Sequence, residues 1–377
     1  MSFERYPTRA NSKTIETKRI VRVGFILLSN SRNALPSTRI SVLNMFPYLR
    51  AANYEPHILF EPTGSAEMPD ISGLMEQISN EGVEIVYFQK VRGPSVVKEA
   101  QKFSAAGVKT VYGVCDLVDN EMARVTDATI VVTEFLKGQY DPIYQLKIHV
   151  VHDGIERPEF HKGFSRPRRN QRQKNQRLRA VLVTSSSLYQ IPIIDTPPRF
   201  IDITVVGHYP PNPSWLYAAK KTYWALCSLE SHSEKLNYLT RLVNKGFKTV
   251  NWDIDTVYQM MLKADVGIIP VNMNEASQWQ LSSENRLTLN MGIGLPVIAS
   301  PVPSYKLVIE QGKNGYIAET RDDWVKYLKE LSDPKLREMM GQCARYSVIN
   351  RFSKEEQARK LVAVFDSLCA QGIGSSA

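Results

Sequence analysis

Apolar and polar positions alternate in two ways along the first half of the chain. Continuous apolar runs rich in β-branched residues, such as RIVRVGFILLS at Arg19–Ser29, predict buried strands. Segments between them, such as ISVLNMFPYLRAANY at Ile40–Tyr54, carry apolar residues at helical spacing, with Ser37 or Thr38 as the candidate N-cap. The other predicted strands of this half are PHILFE, EIVYFQ, KTVYGVC, ATIVVT and KIHVVHDGI. This alternation predicts parallel βαβ units in an open, doubly wound sheet.

The same alternation restarts in the second half of the chain. Its predicted strands are LRAVLVTS, FIDITVVG, FKTVNW, DVGIIPV and the run from Pro296 to Ala299. A chain of 377 residues is longer than one hydrophobic core usually grows. The predicted fold class is therefore α/β, with two doubly wound, Rossmann-like parallel-sheet domains that face each other across a cleft. The expected boundaries are 1–160 for the first domain, 161–178 for a linker and 179–350 for the second domain, with a terminal helix at 351–370 positioned to pack back on the first.

Positive charge is concentrated at the expected linker. The formal net charge is +9, and the stretch SRPRRNQRQKNQRLR at Ser165–Arg179 contains seven basic residues and no acidic one. Such a run is typical of a solvated linker, and it also suits an anionic lipid head group or a polyanionic acceptor. Because its arginines are not interleaved with aromatic residues, nucleic-acid binding is not expected. Residues 166–179 leave open a peripheral contact with the inner face of a membrane.

Cysteine usage and hydropathy exclude several classes of protein. The four cysteines lie far apart and none forms a CxxC pair, so neither a zinc site nor a disulfide framework is predicted. No apolar stretch is long enough to span a bilayer, and the polar start MSFERYPTRANSKTIETKR lacks the apolar segment of a signal peptide. A cytoplasmic protein without a metal site is expected.

The stretch SSENRLTLNMGIGLPVIASPVPSYKLVIEQGKNGYI, at Ser282–Ile317, resembles the carboxyl-terminal signature of group 1 bacterial glycosyltransferases, a retaining-type family with the GT-B fold. Other landmarks agree with that family in their order: LPSTRISVLNMFPYLRAANYEPHILF, KIHVVHDGIERPE, ADVGIIPV and DPKLREMMGQCARYSVINRFSKEE. The resemblance implies that a sugar, of hexosyl type, moves from a nucleotide-diphosphate donor (UDP or GDP type) to a hydroxyl of a saccharide or lipid-linked acceptor. It further implies a role in cell-surface polysaccharide or glycoconjugate biosynthesis, with no bound metal and no cofactor other than the donor substrate.

In the second domain, the resemblance places the donor site around the helix of this signature. The implied donor-binding residues are Ser283, Asn285, Arg286, Gly294, Ser304 and Tyr305. A diphosphate needs backbone N–H groups at a helix N-terminus together with fixed cations, and the fork of Arg286 suits a phosphate oxygen. The residues alone also allow a simpler interpretation, in which Arg286 is a surface cation and the glycines only end a helix.

In the first domain, candidate residues lie where predicted strands end at the cleft. They are Arg39, Gln89 and Lys90 for acceptor or phosphate contacts, and Asp116 for catalysis. Asp116 would orient an acceptor hydroxyl, or take its proton if the anomeric centre is inverted. A polar pair such as Gln89 and Lys90 is as often a turn as a ligand contact, and Asp116 or Asp119 is equally suited to capping the helix that follows.

Two positions depart from the family pattern. Many relatives carry two glutamates with seven residues between them across the signature helix, and the matching positions here are Leu281 and Leu289. These departures leave two hypotheses open. One is an active transferase, and the other is a catalytically inactive GT-B protein that binds a glycan or nucleotide or acts as a scaffold. His152 and Asp153, in HVVHDGI, are interpreted as structural hinge residues.

Overall fold

Two six-stranded sheets organise the chain. The structure is a computed structural model, which describes residues 19–163, 177–185, 188, 191–194, 196–208, 215–227, 229, 231–243, 246–272 and 279–373. Neighbouring strands within each sheet are parallel. Helices alternate with the strands, which confirms the predicted α/β class with two doubly wound domains.

The first domain has the strand order β2-β1-β3-β4-β5-β6. Its strands are β1 (Val21–Ile26), β2 (Tyr54–Phe60), β3 (Ile85–Gln89), β4 (Lys109–Val114), β5 (Ala128–Val131) and β6 (Ile148–Val150). Its helices are α1 (Pro36–Ser41), α2 (Phe46–Ala51), α3 (Leu74–Glu81), α4 (Pro94–Ala105), α5 (Asn120–Val125) and α6 (Glu134–Gly138), with 3₁₀ turns at Leu43–Met45 and Pro142–Lys147. The order reverses between β1 and β3, so the carboxyl ends of these two strands form a topological switch point, where such folds bind ligands.

The second domain has the order β12-β11-β10-β7-β8-β9. Its strands are β7 (Leu178–Val183), β8 (Ile201–Gly207), β9 (Phe247–Asn251), β10 (Val266–Ile269), β11 (Val297–Ala299) and β12 (Tyr316–Ile317). The described helices after β6 are α7 (Trp215–Cys227), α8 (His232–Val243), α9 (Ile254–Lys263), α10 (Asn285–Ile293), α11 (Pro303–Lys306), α12 (Arg321–Glu330), α13 (Pro334–Val348) and α14 (Lys354–Ile373). The sequence pattern predicts neither α7 nor β12, because the apolar residues of α7 show no clear helical period and β12 has only two residues.

The last helix returns to the first domain. Ala358, Leu361, Val364, Phe365 and Leu368 of α14 are buried in one cluster with residues of the first sheet and of α2. Among them, Phe365 packs against Tyr54 of β2 with ring centroids 5.4 Å apart. Burial of this apolar helix face removes it from water, which favours the packing of α14 on the first domain. The hydrophobic core of the first domain is therefore completed by residues distant in sequence.

The basic stretch is described only at its end. Residues 166–176 lie outside the described residues, whereas Arg177 forms an ion pair with Asp202 and Arg179 forms one with Asp265. Within the described ranges, no helix is both long and apolar enough to cross a membrane.

Candidate functional site

A cavity of about 500 Å³ lies between the two domains. The first domain lines it with residues that follow β1, β2, β3, β4 and β6 at the carboxyl edge of the sheet, and the second domain lines it with the start of α10 and the two residues Ser282 and Ser283 before it. Its polar lining includes Ser37, Ser65, Glu67, Lys90, Asp116, Asp153, Ser282, Ser283, Asn285 and Arg286. The structure thus brings five sequence-predicted site residues to one cavity: Lys90, Asp116, Ser283, Asn285 and Arg286.

The second-domain wall of the cavity is the N-terminus of α10. The first N–H groups of a helix have no partner within the helix, and the helix dipole gives this end a partial positive charge. The guanidinium of Arg286 lies in the first turn, 5.5 Å from the ring centre of Trp279. Among the described residues, no carboxylate forms an ion pair with Arg286. A helix end and a cation that share one cavity are suited to an anion such as a phosphate.

Lys90 and Asp116 form an ion pair on the first-domain wall. Lys90 Nζ donates to Asp116 Oδ2 over 2.8 Å. Burial lowers the pKa of the Lys90 ammonium, but the negative charge of neighbouring groups, with Asp116 hydrogen-bonded to it, raises the pKa above its usual value. Lys90 also has a φ of 58°, an unfavourable left-handed conformation for a residue other than glycine. Such strained residues cluster at functional sites, because the surrounding structure must hold them there.

Asp153 forms part of the cavity floor and was not among the sequence-predicted site residues. Its carboxylate accepts a hydrogen bond from the Ser41 hydroxyl over 2.9 Å. Burial raises the pKa of Asp153 to about 6, and the charge of Glu284 acts in the same direction, against the hydrogen bonds from Ser41 and Ser283 and the charge of His152. Tyr87 of β3 and Cys115 after β4 face the same carboxylate from the sheet. The sequence contains one signal that points to Asp153 as a site residue, namely that this carboxylate comes soon after the predicted strand KIHVV.

Arg39 and Gln89 have structural partners and lie outside this lining. Arg39 makes a bidentate ion pair with Glu156, at 2.8 and 3.0 Å, and its guanidinium lies 5.2 Å from the ring centre of Trp252 in the second domain. Gln89 Oε1 accepts hydrogen bonds from the Leu28 N–H (3.0 Å) and the Thr38 hydroxyl (2.9 Å). Arg39 therefore connects the domains, and Gln89 ties the end of β1 to α1.

Three predicted donor residues also lie outside the cavity lining. Gly294 is at the opposite end of α10, where it ends the helix with a φ of 86°. Ser304 is buried and donates a hydrogen bond to the Ser282 carbonyl over 2.8 Å, so it supports the loop before α10. Tyr305 is fully buried in the hydrophobic core of the second domain.

Nearby residues clarify the alternatives that the sequence left open. Asp119 caps α5 by accepting a hydrogen bond from the Met122 N–H over 2.9 Å, whereas Asp116 faces the cavity. Leu281 packs against a hydrophobic cluster of the first domain, and Leu289 packs against a cluster that includes α9. Within the described part of the chain, no group of three or more His, Cys, Asp or Glu residues is arranged to hold a metal ion.

Sequence comparison provides little information on the family. No protein-family model matches the chain. Spore coat protein SA of Bacillus subtilis (strain 168) is 30% identical over 95 residues, which are 24% of this chain. The match spans only 25% of that curated relative.

Structural comparison is more extensive. Anabaena Alr3699/HepE, solved in complex with UDP and glucose, matches with a TM-score of 0.63 at 12% identity, over 92% of this chain and 100% of that chain. A glycosyltransferase from Rickettsia africae ESF-5 has a TM-score of 0.64 at 13% identity, over 93% of this chain and 99% of its own. Sucrose-phosphate synthase from Thermosynechococcus elongatus has a TM-score of 0.61 at 12% identity, over 93% and 100%. The chain has the two-domain GT-B fold.

Proposed function

We propose that the protein is a glycosyltransferase that transfers a sugar from a nucleotide-diphosphate donor to a hydroxyl of an acceptor. The observation that carries this proposal is the N-terminus of α10, which opens with Arg286 onto a cavity at the switch point of the first sheet. Structurally similar proteins solved with UDP, with UDP and glucose, or with UDP-glucose add support. We further propose that it is a hexosyltransferase of the retaining group 1 type.

The donor diphosphate would lie at the N-terminus of α10. There the Asn285 backbone, the Ser283 hydroxyl and the Arg286 fork supply donors and positive charge to the phosphate oxygens. As the bond between the anomeric carbon and the phosphate oxygen breaks, negative charge grows on the leaving diphosphate. Fixed donors in a closed site stabilise that charge, so we propose a reaction that requires no metal.

The acceptor would lie against the first domain. This wall of the cavity presents Leu28, Leu35, Pro36 and Ile40 beside the Lys90–Asp116 pair, which suits a hydroxyl attached to an apolar or lipid-linked group. The acceptor oxygen forms the new bond to the anomeric carbon. In a retaining reaction its proton goes to the leaving phosphate, and in an inverting one it goes to Asp116. A pathway to cell-surface glycans, with membrane contact through residues 166–179, is the biological setting that we propose.

A thermal-shift panel with UDP, GDP, ADP, CMP, dTDP and their sugars tests the donor site. A ligand that binds only the native state raises the melting temperature by mass action. We expect one nucleotide to stabilise the wild type and Arg286→Ala to abolish the shift. Arg351→Ala is the matched control, because Arg351 also lies over an aromatic ring, Phe352 at 5.0 Å, but away from the cavity. If Arg286→Ala keeps the full shift, the donor site is elsewhere.

The packing of Leu281 favours a second candidate function. This residue stands where relatives carry a glutamate, and it packs against the first-domain core. An apolar contact at that position would suit a GT-B protein that has lost donor binding and acts as a glycan-binding or scaffold protein. If none of the nucleotides at millimolar concentration shifts the melting temperature of the wild type, this second function takes precedence.

A further inference from the structure

Two consecutive residues of the first domain meet two consecutive residues of the second directly beside the candidate anion site. His152 and Asp153 follow β6, and Ser283 and Glu284 precede α10. His152 Nδ1 lies 2.5 Å from Glu284 Oε1, and Asp153 and Ser283 line the cavity next to this contact. The relative exposures of His152, Asp153 and Glu284 are only 9%, 7% and 3%. These contacts join the domains at a buried position.

The imidazole of His152 is fixed on the first-domain side. Its Nδ1 lies 2.9 Å from the carbonyl oxygen of Val132, which can only accept, so Nδ1 carries a proton. The backbone N–H of His152 donates to Gln357 Oε1 over 2.9 Å, and the ring packs edge-on against Phe352 with ring centroids 4.9 Å apart. The Nδ1–H is thus directed at Val132, and the same nitrogen lies close to the Glu284 carboxylate without an aligned hydrogen bond to it.

Glu284 depends on this contact. Both of its carboxylate oxygens are buried, and neither has an aligned hydrogen bond within the described residues. A buried carboxylate without hydrogen bonds or a counter-charge is strongly unfavourable. The contact with His152 Nδ1 gives Glu284 a polar neighbour only while the two domains lie together, so separation of the domains would leave the carboxylate without this partner.

We propose that His152 and Glu284 form a cross-domain clasp that positions the N-terminus of α10, with Asp153 and Ser283 lining the cavity beside it. Glu284 is the residue directly before the helix, so the position of its carboxylate sets the position of the first turn. That turn contains Arg286, which the clasp holds over the cavity. His152 and Glu284 are positioning residues, and the consequence for donor binding rests on the proposed function.

Hydrogen exchange tests the clasp without any ligand. His152→Gln keeps a donor for the Val132 carbonyl but removes the imidazole ring that contacts Glu284, and we expect about tenfold faster exchange of the amides at 283–287, in the other domain. Glu284→Gln should reciprocally speed exchange at 149–153. Glu99→Gln is the matched control, because Glu99 is equally buried but pairs with Lys102 on the same helix, at 2.6 Å. Unchanged cross-domain exchange in both clasp variants overturns the proposal, and if one variant fails to fold, the other decides.

Binding of UDP-glucose separates the clasp from the proposed function. We expect His152→Gln and Glu284→Gln each to weaken UDP-glucose binding about tenfold. The two substitutions remove the same interaction, so the double variant should bind UDP-glucose about as tightly as the single variant with the lower affinity. If the two losses of binding free energy add up in the double variant, or if one variant binds more tightly and the other more weakly, the residues act through their separate charges and the positioning proposal is wrong. If exchange changes as expected but the wild type does not bind UDP-glucose or the other nucleotide sugars, the clasp is supported and the proposed function fails.

Discussion

The two ends of α10 differ in their surroundings, since one faces a cavity and the other is packed against a neighbouring helix. At its start, Ser283, Asn285 and Arg286 line a cavity between the domains. At its end, Gly294 takes a left-handed conformation and lies against α13, where a Cβ on Gly341 would be 2.3 Å from the Gly294 carbonyl oxygen. One motif of the sequence therefore contributes both to the lining of a cavity and to a packing contact, and a motif match alone does not separate the two.

Gly341→Ala should have the largest effect, and on stability. The added methyl group would meet backbone, which does not move aside as a flexible side chain does. We expect a loss of about 3 kcal/mol in the free energy of unfolding, measured by urea denaturation. Gly64→Ala is the control, since a Cβ at Gly64 has no neighbour within 4 Å. Equal stability of the two variants would show that the C-terminal end of α10 is loosely packed.

Asp153→Asn should change how stability depends on pH. The native state binds the Asp153 proton more tightly than the unfolded chain does, since the pKa is raised from 3.8 to about 6. The contribution of the Asp153 carboxyl to the free energy of unfolding is therefore greatest below about pH 4, where the group is protonated, and is lost as the pH rises through about 6. The stability of the variant relative to wild type should rise by about 2 kcal/mol between pH 4 and pH 7. A difference that is constant over this range would place Asp153 in a more solvated site.

Arg286→Lys should affect binding and not stability. Lysine keeps the charge but loses the planar fork that makes two parallel hydrogen bonds. We expect donor affinity, measured by calorimetry, to fall by about 1.5 kcal/mol, or roughly tenfold in Kd. An unchanged Kd would mean that Arg286 acts only as a point charge.

Ser304→Ala should have the smallest effect of the four. It removes the buried hydrogen bond to the Ser282 carbonyl, which supports the loop at the start of α10. We expect a loss of about 1 kcal/mol in thermal unfolding experiments. The exposed hydroxyl of Ser79, which bonds to Met75 within one helix, provides the control, and Ser79→Ala should change stability by less than about 0.5 kcal/mol. If the two variants match, Ser304 does not support the start of α10.

The sequence predicts the sheets well because their signal is local. Apolar runs such as those of β1 and β3 identify buried strands, and parallel strands align their carboxyl ends on one edge. That is why Lys90 and Asp116, which follow two different strands, meet in one cavity. A residue that directly follows a predicted parallel strand can therefore be placed at the carboxyl edge of the sheet from the sequence alone.

Contacts between the domains were not predictable in this way. Arg39 also lies at the cleft, but it pairs with Glu156 of its own domain and lies over the ring of Trp252 in the second. His152 meets Glu284 across the domain boundary. Which way such side chains turn depends on how the two domains pack, and no periodicity within one segment encodes it. The hinge interpretation of His152 and Asp153 identified a junction but not its partners.

The return of α14 to the first domain has a consequence for biosynthesis. The apolar surface around Phe25 and Tyr54, which α14 covers, emerges from the ribosome early. Asp366 of α14 comes 312 residues after Tyr54, which at roughly 5–20 residues per second means an interval of roughly 15–60 seconds. During that time the nascent first domain exposes an apolar surface to which chaperones can bind. Final burial of that surface therefore waits until α14 has been synthesised.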